Sequence, residues 1–313
     1  MPNPQGLLDK VFSIIGPRTR FFQPGLTTCG RQYPPKTLRF VSAITSRTLP
    51  KDLPTISIVI PALNQAPYLD SAIRSVLEQG YPRTELVVAD GGSTDGSKRI
   101  LEKYSDQLTW WCCEQDSGQT SALNKGFSHT TGEIMAWLNA DDLLLPGSLA
   151  RIATFMDADK SVEAAYSHRI CVDELGREIG RWILPPHDNR ILKWSDFVPQ
   201  ETLFWRRALW EKVGGKLDES FDFAMDWELL LRFRKVGANI VRLPCFLGLF
   251  RIHSKQKTIA DMEEVGQKEM AELRKQSLGF SPAKHQITFG TLDYLLKARL
   301  LELMWRGGLV RYD

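Results

Sequence analysis

The chain contains 313 residues with a mass of 35.6 kDa, of which 43% are hydrophobic and 25% are charged. These proportions are typical of a globular protein with a sizeable core, and they exclude a disordered or fibrous chain. The net charge of +3 is too small to indicate nucleic-acid binding. No apolar run reaches the roughly 18 residues that a membrane-spanning helix needs.

The cysteines indicate neither a zinc site nor a disulfide framework, because their number is odd and no Cys-x-x-Cys spacing occurs. The five residues are Cys29, Cys112, Cys113, Cys171 and Cys245. Reduced thiols are typical of the cytosol. Charged and polar residues interrupt the apolar residues near the start of the chain, so the sequence does not predict a secretory signal. We therefore expect a cytoplasmic protein.

The predicted elements change character near residue 54. Residues 1–53 are rich in proline and basic residues and are predicted to form an accessory arm, in which only the amphipathic stretch 6–16 favours a helix. Strands are then predicted at 56–60, 85–90, 108–113 and 133–138, and helices at 68–77, 97–104 and 121–129. This alternation predicts an α/β fold whose parallel sheet has helices on both faces.

The alternation weakens after residue 145. The predicted elements are a helix at 149–156, strands within 162–184 around a turn at 174–176, a helix at 225–236, a strand at 239–243 and a charged helical segment at 259–276. A final amphipathic helix is predicted at 291–306, with one face formed by Leu292, Leu295, Leu296, Leu300 and Leu303. We expect this helix to pack on the rest of the chain or on a second subunit, while contact with a membrane surface stays open.

Polar residues follow each of the four predicted parallel strands, at 61–64, 90–96, 114–118 and 139–142. Ligands of open α/β sheets bind at these carboxyl ends of the strands. The sequence has no Gly-x-Gly-x-x-Gly motif, and residues 91–98 depart from a phosphate-binding loop. A phosphorylated ligand would therefore need a divalent cation, for which Asp141 and Asp142 offer oxygen donors. The alternative is that these two acids only cap the following helix.

Five segments, in this order, resemble glycosyltransferase family 2. They are 58–64, 90–97, 118–126, 137–142 and 250–253, and the resemblance covers roughly residues 54–258. It implies the GT-A fold, a Rossmann-like mixed sheet with helices on both faces, followed here by C-terminal helices. It also implies inverting transfer from a nucleotide-diphosphate sugar with Mn²⁺ or Mg²⁺. The predicted organisation is an arm at 1–53, a catalytic domain at 54–258 and a helical extension at 259–313.

The resemblance assigns nucleotide-binding roles to the first three segments. Pro61, Ala62 and Asn64 match residues that line the nucleotide pocket. Asp90 matches the residue that hydrogen-bonds the base, for which uracil is expected. Lys125, together with Gln119, matches a segment near the diphosphate, although Lys125 could equally be an exposed helix lysine.

The resemblance also implies a metal site. Asn139, Ala140 and Asp141 match the family's Asp-x-Asp triplet, with asparagine in place of the first aspartate, which usually contacts ribose. Asp141 is expected to bind the metal, with Asp142 assisting. His253 matches a histidine that completes the metal shell in some members, and a strand-end surface histidine is the alternative.

The general base of the family lies on an acidic pair at the start of a helix. Asp226 matches the second acid of this pair, whereas Met225 stands in the first position. A helix N-terminus favours the charged carboxylate and would lower its basicity, so we expect burial by Trp227 or Phe223 to offset that effect. The alternatives are that Asp226 only caps the helix, or that Glu228 is the base.

These observations predict an inverting, metal-dependent glycosyltransferase that uses a UDP-sugar and a hydroxyl of a glycan or lipid-linked glycan acceptor. Residues 200–207 match the acceptor side, where Trp205 and Trp227 could stack on sugars or pack in the core. Peripheral contact with the inner face of the membrane and homo-oligomerisation are open expectations. One rival, a sugar-nucleotide nucleotidylyltransferase, would need a glycine-rich basic loop in place of 61–64. A second rival is a non-catalytic binding or scaffold protein, favoured by Asn139 and Met225.

Overall fold

The computed structural model describes residues 32–38, 53–254, 256–257 and 261–312. The amphipathic stretch 6–16 and most of the predicted arm at 1–53 lie outside the described residues. Within the arm, Lys36 forms an antiparallel bridge with Glu178, and the Tyr33 hydroxyl donates a hydrogen bond to the Glu178 carboxylate. The described piece of the arm therefore packs along an edge of the main sheet.

The described residues form a nine-stranded mixed sheet. Its strands are β1 Ile56–Ala62, β2 Thr84–Asp90, β3 Trp110–Cys113, β4 Ile134–Trp137, β5 Leu143–Leu144, β6 Ala164–Val172, β7 Glu178–Trp182, β8 Phe204–Arg206 and β9 Ile240–Arg251. Their spatial order is β3-β2-β1-β4-β8-β6-β9-β5, and β7 pairs with β6. The sheet extends from the predicted parallel half into a second half that contains antiparallel pairs.

The parallel half agrees with the sequence-based expectation. Strand β1 is parallel to both β2 and β4, and β2 is parallel to β3. The connecting helices are α1 Ala66–Leu77, α2 Ser97–Tyr104 and α3 Gln119–Phe127. Parallel strands need such crossovers, so this register brings the carboxyl ends of β1 to β4 to one edge of the sheet.

The second half departs from the sequence-based expectation at β9. The predicted strand at 239–243 was too short, because β9 continues to Arg251 and its last seven residues are buried. Pro244 is exposed, and the register between β6 and β9 shifts next to it, between Ser167 and His168. A proline beside a register irregularity interrupts the sequence pattern of a strand without ending the strand. The longer strand carries the chain directly to His253.

Hydrophobic packing covers both faces of the sheet. Ile58 and Ile60 of β1 belong to one buried cluster and Val59 to the other, as expected when successive side chains point to opposite faces. Trp205 is fully buried, and its ring centroid lies 5.5 Å from that of Trp137. The expectation that Trp205 could stack on a sugar is therefore wrong, because its ring is sequestered in the core.

The remaining helices surround the second half of the sheet. They are α4 Ser148–Ala158, α5 Asn189–Leu192, α6 Arg207–Lys212, α7 Met225–Lys235, α8 Gln267–Leu278 and α9 Lys284–Arg306, with a single π-helical turn at Met262–Gly266. The last helix begins earlier than predicted and buries Ile287, Tyr294 and Ala298. The predicted leucine face points away, since Leu296, Leu300 and Leu303 are 51–58% exposed.

Two further features concern membrane spanning and cysteine chemistry. Among the helices of the described segments, none combines the length and apolar character required to cross a membrane. Cys171 is disulfide-bonded. The expectation of reduced thiols is therefore wrong for Cys171.

Candidate active site

The ends of β1 and β2 are joined by a network of short hydrogen bonds. Ala62 pairs with Asp90, and two residues later Asn64 adopts a left-handed backbone with φ of 53°. Asparagine tolerates this conformation better than most residues. The Asn64 side-chain oxygen accepts from the Thr94 N–H at 2.9 Å, and its own N–H donates to Ser93 Oγ at 2.7 Å. The two predicted nucleotide-binding loops are thus fixed against each other.

Asp90 organises the loop that follows β2. Its Oδ1 accepts the N–H groups of Gly92 at 3.0 Å and Ser93 at 2.7 Å, and its Oδ2 accepts the Ser93 hydroxyl at 2.6 Å. The Cys113 thiol donates to Oδ1 at 3.0 Å, and Asp90 is only 1% exposed. The observed role of Asp90 is to shape the loop, and its contact with a base stays a prediction.

The structure brings two of the predicted metal ligands together. His253 Nε2 lies 2.9 Å from Asp141 Oδ2, although the two residues are far apart in sequence. Arg251 fixes this arrangement, because its Nε donates to the Asp141 carbonyl at 2.9 Å. The Tyr68 ring packs against the His253 ring with centroids 4.8 Å apart. His253 is buried, so the alternative of a surface histidine is wrong.

Asp142 is buried and bonded to the backbone of Arg251. Its Oδ1 accepts the backbone N–H of Arg251 at 2.9 Å, and the residue is 1% exposed. Burial, followed by the nearby charges of Asp141 and Glu201, raises the pKa of Asp142 well above its ordinary value. Asp142 therefore links the triplet segment to the end of β9 in this structure.

The first position of the triplet opens onto a pocket. Asn139 Oδ1 accepts from Gln119 Nε2 at 2.9 Å, and both residues line a pocket together with Asp196, Asp226, Trp227 and Lys257. Ala140 is buried next to it. The pocket therefore joins the triplet segment to the predicted general base.

Asp226 lies in the first turn of α7 and borders the pocket. The Trp227 N–H donates to its Oδ1 at 2.8 Å, and the Trp227 indole is anchored on the Leu192 carbonyl at 2.8 Å. Burial raises the pKa of Asp226 to about 6, against the opposing effects of the backbone N–H groups and of Arg169. Burial thus outweighs the helix N-terminus, which leaves a carboxylate suited to accept a proton near neutral pH.

The alternative base is engaged elsewhere. Both oxygens of Glu228 contact the Arg232 guanidinium at 2.8–2.9 Å on the next turn of α7. Glu228 does not line the pocket formed by the described residues. The geometry therefore favours Asp226 over Glu228.

Several residues of the pocket lie outside the sequence motifs and were not predicted. Asp196 is buried, and its pKa is raised well above the ordinary value by burial and then by the charge of Asp226. Arg169 binds Glu201 through two hydrogen bonds of 2.8 and 2.5 Å, and both side chains are at most 2% exposed. A charged residue inside the apolar strand β6 was the available signal for Arg169. Asp196 lies in a loop without comparable pattern.

Lys125 does not line this pocket. Its ammonium pairs with Glu114 at 2.6 Å on the exposed side of α3. Lys257 lies in the pocket instead, and its Nζ donates to Gln119 Oε1 at 3.3 Å and to the Asp222 carbonyl at 2.5 Å. The sequence did not predict a role for Lys257, because this residue lies beyond the last motif at 250–253.

The C-terminal helices take part in the site. Glu269 on α8 accepts the backbone N–H groups of Asp222, Phe223 and Ala224 at 2.8–2.9 Å. Met270 lines the pocket, and the Arg274 guanidinium lies 5.1 Å from the Trp227 ring centroid. Residues beyond 258 therefore contribute directly to the surroundings of Asp226.

Asp141 and His253 offer two donors to a divalent cation, and a bound molecule would supply further ligands. Within the described ranges, no group of three or more His, Cys, Asp or Glu side chains is arranged to hold a metal ion. Asp141 and His253 nevertheless place one carboxylate oxygen and one ring nitrogen 2.9 Å apart. Both are donors that Mn²⁺ accepts, and the remaining ligands would come from diphosphate oxygens and water.

Solved structures with this fold include nucleotide-sugar complexes. The S. aureus protein TarS, residues 1–349 with UDP-GlcNAc, gives a TM-score of 0.58 at 19% identity, covering 77% of this chain and 71% of that chain. The mannosyltransferase PcManGT from Pyrobaculum calidifontis, with GDP-Man and Mn²⁺, gives a TM-score of 0.52 at 19% identity and covers 85% of both chains. At these identities the likeness shows the fold alone, which is the GT-A fold.

Comparison with sequence families and relatives identifies the family within this fold. The model of glycosyl transferase family 2 matches residues 57–213. An uncharacterised glycosyltransferase of Nostoc is 40% identical over 171 residues, and one of Rickettsia typhi is 28% identical over 196 residues. A putative teichuronic acid biosynthesis glycosyltransferase of Bacillus subtilis is 27% identical over 136 residues. The chain belongs to glycosyl transferase family 2.

The matched regions cover only part of each protein. They amount to 50%, 59% and 42% of this chain and to 52%, 60% and 54% of the Nostoc, Rickettsia typhi and Bacillus subtilis proteins, respectively.

Proposed function

We propose that this protein is an inverting glycosyltransferase that transfers a sugar from a UDP-sugar to a hydroxyl of a glycan or lipid-linked glycan. The observation that carries the proposal is that Asn139 of the triplet and Asp226 line one pocket. A donor bound along the strand ends would thus present its sugar to a base with a pKa of about 6. Family membership supports this reading.

The proposed reaction uses one base and one displacement. Asp226 accepts the proton of the acceptor hydroxyl while that oxygen forms a bond to the anomeric carbon. The bond from the anomeric carbon to the donor phosphate oxygen breaks, and the nucleoside diphosphate leaves with the bonding electrons. Attack opposite the leaving group inverts the anomeric centre. Trp227 and the Glu269 cap support the position of Asp226.

We assign the metal contacts to Asp141 and His253, with Mn²⁺ or Mg²⁺ as the ion. A divalent cation bound there would neutralise charge that develops on the departing diphosphate. The Mn²⁺ and GDP-Man bound in PcManGT and the UDP-GlcNAc bound in TarS support a metal and a nucleotide sugar as ligands. We choose a uridine nucleotide because Asp90 matches the position that the family resemblance assigns to the base.

We assign a cell-envelope polysaccharide or its lipid-linked precursor as the acceptor, which the Bacillus subtilis relative supports by its name. The outer face of α9 fits such a location. Phe289, Leu296, Leu300 and Leu303 form an exposed apolar stripe at helical spacing. Because Lys297, Arg299 and Arg306 flank it, we propose that the stripe contacts an anionic membrane surface.

Donor hydrolysis and transfer assays test the proposal. Wild-type protein is expected to release UDP from a UDP-sugar in the presence of Mn²⁺, and Asp226→Asn is expected to lower turnover by about 10²-fold or more while donor affinity changes little. Absence of release from every nucleotide sugar, despite binding, would instead favour the non-catalytic protein that Asn139 and Met225 suggest. Equal turnover in Asp226→Asn would exclude Asp226 as the base.

A further inference from the structure

The charges of the pocket do not match the ligand that the proposed function requires. Asp196 and Asp226 contribute acidic groups to its lining, and Arg169 and Lys257 contribute basic groups. The Arg169 guanidinium is bonded through two nitrogens to the carboxylate of Glu201. Much of its charge is therefore already compensated, while a nucleoside diphosphate would bring two or more further negative charges.

Lys257 is placed differently from Arg169. Its Nζ donates to two neutral oxygens, Gln119 Oε1 at 3.3 Å and the Asp222 carbonyl at 2.5 Å. Within the segments that the structure describes, no carboxylate lies in ion-pair contact with this ammonium, and the acidic groups that act on it, those of Asp222, Asp261, Glu269 and Asp226, do so from a longer distance. An ammonium group has three donors, so one donor remains available to a ligand oxygen.

Hydrogen bonds connect Lys257 to the triplet. Gln119 Oε1 accepts a hydrogen bond from the Lys257 ammonium, and Gln119 Nε2 donates one to Asn139 Oδ1 at 2.9 Å. Two hydrogen bonds thus separate the ammonium from the first residue of the triplet. Gln119 is also the first residue of α3, where backbone N–H groups lack helical partners and favour anions. The ammonium therefore adjoins an end of α3 that itself attracts negative charge.

Lys125 lacks each of these properties. It lies in the last turn of α3 and pairs at 2.6 Å with Glu114, whose side chain is 59% exposed. An exposed ion pair of this kind is worth little and is screened by salt. Moving Lys125 to the pocket would require breaking that pair, whereas Lys257 already lines the pocket.

We propose that Lys257, rather than Lys125, is the side-chain cation that binds the diphosphate of the donor. This assignment rests on the proposed function and deepens it. Electrostatically, the ammonium compensates one phosphate charge from the side of the pocket that faces Gln119 and the Asp222 carbonyl. The Asp141 and His253 pair would serve the same ligand from the other end of the triplet.

Titration calorimetry with UDP and with uridine tests this assignment, using Lys257→Met and the matched control Lys125→Met. We expect Lys257→Met to weaken UDP binding by about 10-fold or more, the scale of a lost charge-assisted hydrogen bond. Uridine binding should change little, because uridine has no phosphate. Lys257→Arg should restore most of the affinity for UDP, and Lys125→Met should leave it within about 2-fold.

The outcomes separate this proposal from the proposed function. If wild-type protein binds UDP and Lys257→Met binds it equally well, Lys257 is not the diphosphate ligand, while the proposed function stands. A loss confined to Lys125→Met would return the role to Lys125. If wild-type protein binds neither UDP nor GDP, both proposals are wrong. A misfolded Lys257→Met would lose uridine together with UDP, and Lys257→Arg then decides the assignment.

Discussion

The carboxylate of Glu269 accepts the backbone N–H of Ala224 at 2.8 Å, two residues before Asp226. Its oxygens also accept the N–H groups of Asp222 and Phe223, so one side chain of α8 binds the turn that leads into α7. Helix starts leave such N–H groups without partners unless a cap supplies an acceptor. The C-terminal helices therefore help to set the position of Asp226.

The first prediction follows from this cap. Glu269→Ala should lower the free energy of unfolding by about 1–2 kcal/mol, because three backbone N–H groups, one of them at the buried Ala224, lose their acceptor. It should also reduce turnover more than it reduces UDP affinity, since the turn carries Asp226. Glu272→Ala, at an exposed position of the same helix, is the matched control. Equal kinetics in the two variants would show that the cap does not position Asp226.

The second prediction concerns the pH dependence of transfer. The base must be ionised, and burial raises the pKa of Asp226 to about 6. We expect kcat/KM to fall as the pH drops through about 6, approaching a tenfold loss per pH unit. Rate profiles between pH 4.5 and 8 measure this limb. Glu228→Gln should retain the same limb, and its disappearance in that variant would identify Glu228 as the base.

The third prediction is a stability effect of the same residue. The pKa of Asp226 is higher in the folded protein than its ordinary value of 3.8, so ionisation destabilises the fold as the pH rises from about 4 to 6. Asp226→Asn removes this cost. The gain in free energy of unfolding of Asp226→Asn over wild type should therefore be about 2 kcal/mol larger at pH 7.5 than at pH 4.5. Urea unfolding at both pH values measures it, and a constant difference would contradict the raised pKa.

The fourth prediction addresses the metal ligands. If Asp141 and His253 bind the ion, Mn²⁺ should strengthen UDP binding to wild-type protein but not to Asp141→Asn or His253→Ala. The expected loss is about 10-fold or more, the scale of a removed metal contact. His285→Ala, at an exposed histidine of α9, serves as the control. An Mn²⁺ effect of full size in both site variants would place the ion elsewhere.

The fifth prediction concerns α9. Replacing Leu296 and Leu300 by serine should reduce flotation with vesicles that contain anionic lipid, because about 2–4 kcal/mol of apolar burial is lost. Thermal stability should hardly change, since both side chains are more than half exposed. Sedimentation measurements distinguish a second copy as the partner. A concentration-dependent dimer that the serine variant abolishes, without vesicle binding, would contradict membrane contact.

Local patterns in the sequence predicted the first half of the fold. Strand β1 is rich in β-branched apolar residues and α1 has helical periodicity, so neither needs long-range information. The pairing of His253 with Asp141 followed only from the family motifs, since the two residues are 112 positions apart in the sequence. The end of β9 was missed because Pro244 and a register shift interrupt the strand pattern.

The parts of the site that the sequence did not predict depend on tertiary packing. Burial and the charge of Asp226 raise the pKa of Asp196, and no sequence pattern predicts such an environment for an aspartate in a loop. Glu269 resembles any charged residue of an exposed helix until α8 packs against the start of α7. The leucines of α9 misled the prediction because the helix buries a face that includes Thr291 and Glu302 instead.

Arg251 ties the triplet segment to the end of β9. Its backbone N–H binds Asp142, its guanidinium binds the Asp141 carbonyl, and His253 follows two positions later. The triplet comes from the segment after β4 and the histidine from the segment after β9, so the proposed metal site needs both segments. Binding of Mn²⁺ at this site would therefore require a completely formed sheet. A nascent chain would acquire this affinity only after β9 has docked.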